Sequence, residues 1–137
     1  VRMVRSRRLF GQPEWIANAD MRFDHPEWGT KVTLAFFAIS DLLDAAGSAS
    51  VNPNGEVRSF TLDRYVDSFH QLDLVASQAF RLPRVPGEFT IRGSAKNLTD
   101  STRRIVYDPE QLSDRVSERE LKIGRDFSFS LSYTFSF

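Results

Sequence analysis

Two carboxylates two residues apart, Glu118 and Glu120, are the arrangement from which a general acid and a general base could be assembled. Strand alternation would put them on one face of the last strand with Lys122 and Asp126. Such a row is equally ordinary as the polar lining of a sheet, and that plainer reading is adopted. The only two histidines, His25 and His70, lie far apart in the chain, His25 before Pro26 in a turn and His70 at the start of a strand. They do not have metal-ligand spacing. Cysteine is absent, which excludes thiolate ligands and disulfides. No nucleophile elbow or phosphate-cradling glycine loop is found. The reading is therefore not an enzyme, with no catalytic residue, metal ligand or cofactor assigned. One charged group stands out. Arg103, Arg104, Arg115, Arg119 and Arg125 gather near the C-terminal end, where charge-assisted hydrogen bonds could hold an anion. Asp108, Glu110, Asp114, Glu118 and Glu120 lie among them and offer a plain solvated loop instead.

The elements that must position these groups are strands. Phe127, Phe129, Leu131, Tyr133, Phe135 and Phe137 alternate strictly with Ser128, Ser130, Ser132, Thr134 and Ser136. A strand turns successive side chains to opposite faces, so one face is aromatic and the other small and polar. The same period recurs upstream. Residues 13–24 place Trp15, Ala17, Ala19, Met21 and Phe23 opposite Asn18, Asp20, Arg22 and Asp24. Residues 30–40 align Val32, Leu34, Phe36 and Ala38, with Phe37 and Ile39 blurring the pattern. Residues 68–80 align Leu72, Leu74, Ala76 and Phe80, and residues 89–100 align Phe89, Ile91, Gly93 and Ala95.

Five strands of this length exceed the usual soluble strand of about five or six residues. They match the roughly 9–11 residues that a tilted strand needs to cross a bilayer. Residues 25–29 and 81–88 read as short turns, and residues 41–67 and 101–117 as long polar loops. Short turns alternating with long loops are the habit of outer-membrane barrels, whose short turns face the periplasm. The fold expected is all-β: an antiparallel up-and-down transmembrane β-barrel, of which residues 1–137 supply a terminal five-strand segment. Interfacial aromatics would be Trp15 at the outer rim and Phe23, Phe80, Phe89, Tyr133 and Phe135 at the periplasmic rim.

Composition narrows the alternatives. The 18 basic and 18 acidic residues cancel, which argues against a general nucleic-acid partner. No apolar run is long enough for a transmembrane helix. The chain begins at Val1 without a signal peptide, so a mature product or a piece of something longer is expected.

Several phrases in order carry a family resemblance: RLFGQPEWIANADMRFDHPEWGTKVTLAFFAISDLLDAAGS, then HQLDLVASQ, then FTIRGSAKNLTDSTRRIVYD with Asn97, Leu98 and Asp100, then the closing strand. Together they resemble the end of the barrel in TonB-dependent receptors, from about Arg8 to Phe137. Phe37 and Leu42 depart from that pattern, and the chain runs on to Ser136 and Phe137 past the usual Tyr-x-Phe ending. The resemblance implies a barrel of about 22 strands filled by an N-terminal plug, importing a scarce solute such as a siderophore, vitamin or glycan. It also implies an outer-membrane location. The implied partners are membrane lipid and lipopolysaccharide, the rest of the barrel and plug, TonB through an N-terminal part not in this sequence, and the barrel-assembly machinery. That machinery would read Phe127, Phe129, Leu131, Tyr133, Phe135 and Phe137. A soluble ligand- or carbohydrate-binding β module, or another barrel such as a porin, is the alternative that the pattern leaves open.

Overall fold

A computed structural model describes residues 8–107 and 116–135. It is all-β, with no helix among the described residues. The strands are β1 (Ile16–His25), β2 (Thr30–Ile39), β3 (Leu42–Ala45), β4 (Ala49–Val51), β5 (Val57–Phe60) and β6 (Arg64–Val66). They continue with β7 (Phe69–Phe80), β8 (Glu88–Lys96), β9 (Arg103–Tyr107), β10 (Ser117–Leu121) and β11 (Asp126–Thr134).

The five strands with the clearest alternation form one sheet, ordered β1-β2-β7-β8-β11. Their registers run without a break where β8 meets its neighbours. Phe127, Phe129, Leu131 and Tyr133 of β11 face Ala95, Gly93, Ile91 and Phe89 of β8. Those in turn face Leu74, Ala76, Gln78 and Phe80 of β7. Because a one-residue slip would reverse every side chain, this register gathers the apolar residues of three strands on one face. The turns at 25–29 and 81–87 lie at the same end of the sheet, and the first is tied to the end of β7 by the Ala79 N–H donating to the Gly29 carbonyl at 2.8 Å. Gly29 adopts φ 68°, and a Cβ there would run into the Ala79 carbonyl, so only glycine fits this turn.

Segments expected as long loops are themselves partly strands. Residues 41–67 contain β3, β4, β5 and β6, and the described part of 101–117 contains β9 and the start of β10. A four-stranded antiparallel sheet forms in the order β10-β9-β6-β3, and β4 pairs with β5 as a separate hairpin. Bulges explain why alternation does not show here. The β3–β6 register shifts between Leu43 and Ala45, and the β10–β9 register between Ser117 and Arg119. The strand ends also differ from expectation: β1 starts at Ile16, β8 stops at Lys96, and Asn97–Asp100 is a turn.

Buried apolar side chains are few. Among the described residues the buried apolar side chains are Ala38, Leu43 and Val106, whereas Met21, Phe23, Phe127, Phe129, Leu131 and Phe135 are exposed. Both edge strands, β1 and β11, are exposed along nearly their whole length. The buried polar residues Ser40, Asp63 and Asn97 are as numerous as the buried apolar ones. The Ser40 Oγ accepts from the backbone N–H groups of Glu14 and Trp15, and Asp63 accepts from the Gly47 N–H at 2.6 Å. Burial of a hydroxyl or carboxylate is tolerable only with such partners.

Candidate functional site

The candidate surface is the aromatic face of the five-stranded sheet. At the end that carries the short turns, bulky rings stand side by side. The Phe80 and Phe89 centroids are 5.7 Å apart, Phe89 and Tyr133 4.6 Å, and Tyr133 and Phe135 6.1 Å. These spacings fall within the favoured range for aromatic pairs. Tyr133 turns its hydroxyl toward the turn and donates to the Pro86 carbonyl. A second cluster forms at the 25–29 turn, where His25 stacks on Trp28 at 4.1 Å with Phe23 beside it at 6.2 Å.

Further along the same face the side chains become small. Ala76, Gly93 and Ala95 floor a shallow depression of about 300 Å³, bordered by Leu74 and Phe127. Gln78 falls on this face in register with Ile91. Its carbonyl accepts from Thr30 Oγ1, and its amide donates to the Trp28 and Ala79 carbonyls. The amide is thus satisfied by its own sheet, which lets a polar side chain sit among apolar ones. Contact between Thr30 and Gln78 also puts the alternate residues Val32, Leu34 and Phe36 on the aromatic face.

The opposite face is polar. Ser94 and Ser128 share a hydrogen bond of 2.7 Å across β8 and β11. Lys31 pairs with Asp24 at 3.3 Å, and Gln71 donates to Asp73 at 2.8 Å. Phe37, out of phase with Phe36, is half-buried on this side.

Asn97 holds the exit of β8. It is 4% exposed and adopts φ 54°. Its Oδ1 accepts from the Ser101 N–H, and its Nδ2 donates to the Ser101 and Gly124 carbonyls. The Asn97 N–H donates to Asp73 at 2.9 Å. One side chain therefore fixes the 97–101 turn and joins it to the link before β11. The sequence signal was available: asparagine tolerates the left-handed conformation and bonds its local backbone in turns.

The arginines separate into two kinds. Arg104 is paired across the strands with Glu120 at 3.3 Å. Arg64, overlooked in the sequence, bonds Asp44 at 2.6 Å and Glu118 at 3.4 Å. The Asp44 hydrogen bond raises the Arg64 pKa above its ordinary value. Glu118 and Glu120 thus meet different arginines, and the bulge at Glu118 breaks the phase expected to put them on one face. Nor do they share a strand with Asp126, because β10 ends at Leu121 and β11 begins at Asp126. Arg103 and Arg119 are exposed on β9 and β10, and Arg125 is exposed in the link before β11 rather than within a strand.

Of the aromatics expected at the rims, Phe80, Phe89, Tyr133 and Phe135 come together, while Phe23 joins the His25–Trp28 cluster instead. Trp15 precedes β1 and is tied to Ser40 through its backbone. Arg115 and Phe137 lie outside the described residues. Compared with protein-family models, curated proteins and solved structures, the chain matches none.

Proposed function

We propose that this chain supplies membrane-spanning strands of an outer-membrane β-barrel of the TonB-dependent receptor type, working in uptake of a scarce solute. One observation carries the reading. Five antiparallel strands of 9 to 12 residues gather aromatic and aliphatic side chains on one face, and those of the edge strands β1 and β11 are exposed. In water such a face is a liability; against hydrocarbon it is the stable arrangement. The serine face opposite would line the lumen. The Phe80–Phe89–Tyr133–Phe135 rings would sit at one interface, where aromatic girdles form.

Strands cross lipid only in a closed barrel, since every backbone group must be paired. The outer edges of β1 and β11, unpaired by any other strand among the described residues, would therefore pair with further strands of the same barrel. The receptor type rests on the resemblance of the 8–48, 70–78 and 89–108 phrases and of the closing strand. It brings as proposed partners a plug, TonB, the barrel-assembly machinery, and membrane lipid with lipopolysaccharide.

The test is cell fractionation with an antibody to residues 41–67, on heated and unheated samples. An outer-membrane band whose mobility shifts on heating is expected. A soluble band at 15.7 kDa that ignores heating would replace this reading with a soluble β module.

A further inference from the structure

The four-stranded sheet carries a charged pattern that its ion pairs do not absorb. Register places Arg103 opposite Leu121 and Arg119 opposite Ile105, so these four residues share one face of the β9–β10 ladder. Arg104 and Glu120 oppose each other on the other face and neutralise one another. Arg103 and Arg119 are diagonal neighbours across two strands, a spacing of about 7–8 Å that long side chains bridge readily.

Two acids on this face are engaged by another arginine. Val66 and Arg64 of β6 pair with Ile105 and Tyr107, which puts Arg64 on the same face as Arg103. Arg64 takes up Asp44 and Glu118. Both carboxylates bond Arg64, so among the described residues Arg103 and Arg119 have no carboxylate partner on that face. Between the two cations lie aliphatic side chains: Leu121 is exposed and Ile105 half-buried. Two forked donors beside apolar surface suit a phosphate attached to a hydrocarbon body.

We propose that Arg103 and Arg119 together bind the phosphate of an anionic membrane amphiphile, whose apolar part lies against Leu121 and Ile105. This rests on the membrane reading above, and assigns the lipid class recognised by that barrel. The guanidiniums chelate phosphate oxygens while Arg64, held by Asp44 and Glu118, flanks the site without competing for the ligand.

The experiment uses the protein extracted from its membranes in detergent and reconstituted in bilayers of equal phosphatidic acid and phosphatidylcholine. Native mass spectrometry then counts the lipids retained. Phosphatidic acid should be enriched over phosphatidylcholine. Replacing Arg103→Gln or Arg119→Gln should cut that enrichment about fivefold each, the weight of one basic side chain at a membrane surface. Millimolar inorganic phosphate should not displace the lipid; displacement would mean a site for free phosphate and would overturn the amphiphile assignment. Arg104→Gln removes the same charge from the opposite face. If it lowers enrichment equally, overall charge is responsible and the paired site is wrong. Heat-shifted mobility of each variant reports folding separately. Entry into bilayers without phosphatidic acid preference would overturn this inference and leave the membrane reading standing, whereas absence from membranes would sink both.

Discussion

The Tyr133 hydroxyl donates to the Pro86 carbonyl, so the closing strand is fastened to the turn that joins β7 and β8. Gly87 makes this possible. It adopts φ 120°, and a Cβ there would approach the Tyr133 ring at 2.9 Å and the Thr134 carbonyl. Ring and turn are thus fitted to one another through a residue with no side chain. Tyr133→Phe keeps the ring contact with Phe89 and removes only the hydrogen bond, so a loss of about 1 kcal/mol is expected. Gly87→Ala adds strain and a clash, and is expected to cost more, about 1–3 kcal/mol. Unfolding followed by loss of the heat-sensitive gel shift ranks the two. Equal effects would show that the turn yields and that glycine is not required.

Asn97 gives a second prediction. Asn97→Ala removes the bonds to the Ser101 N–H and to the Ser101 and Gly124 carbonyls, and leaves alanine at φ 54°. A loss of about 2–3 kcal/mol is expected, from stranded backbone groups and the left-handed conformation. Asn97→Gly relieves only the second of these and should recover part of the loss. Hydrogen exchange at the Ser101 amide is the local readout: faster exchange in both variants is expected, and unchanged exchange would mean that water replaces the side chain without consequence.

The Arg64 contacts predict salt sensitivity without a pH switch on the arginine's side. Its pKa is raised by the Asp44 hydrogen bond, with burial opposing. A raised folded-state pKa gives stability that is complete below the unfolded value and is lost only as pH rises through the folded one. For a guanidinium that window lies at extreme alkalinity. Stability attributable to this group should therefore stay flat through neutral and moderately alkaline pH. The pairs are partly exposed, so added salt should weaken them. Comparing Arg64→Gln with the parent in low and high salt checks this: the difference should shrink with salt, and a difference that persists would point to packing by the side-chain stem.

How much of this was legible depended on whether one period ran unbroken. Phe127–Tyr133 and Phe89–Ala95 keep strict alternation, and the register repeats it residue for residue. The four-stranded sheet escaped notice because its strands are three to five residues long and bulged at Asp44 and Glu118. Its adjacent arginines, Arg103 and Arg104, also look alike in sequence while facing opposite ways. Gln78 reads as a fault in the apolar face until Thr30 and the Trp28 carbonyl are seen to satisfy it. The Tyr133–Pro86 bond was not readable at all, since nothing in the spacing of two residues 47 apart announces a hydrogen bond.

The sharpest test of the membrane reading compares neighbours on β11. Phe129 is 74% exposed and Ser130 is also exposed, so in water both would accept a charge with little effect on stability. Against lipid the two sites differ. Phe129 belongs to the aromatic face, opposite Gly93, and Ser130 to the polar face, opposite Arg92. Phe129→Arg would push a cation toward hydrocarbon, at a cost of about 2–4 kcal/mol if the site lies near the bilayer midplane. Ser130→Arg would extend into the lumen. It would meet some repulsion from Arg92, which is local and screened by salt. The expected result is a large drop in unfolding stability for Phe129→Arg, insensitive to salt, and a small salt-dependent one for Ser130→Arg. Were both substitutions equally mild, the aromatic face would be facing water, and the barrel assignment would fall with it.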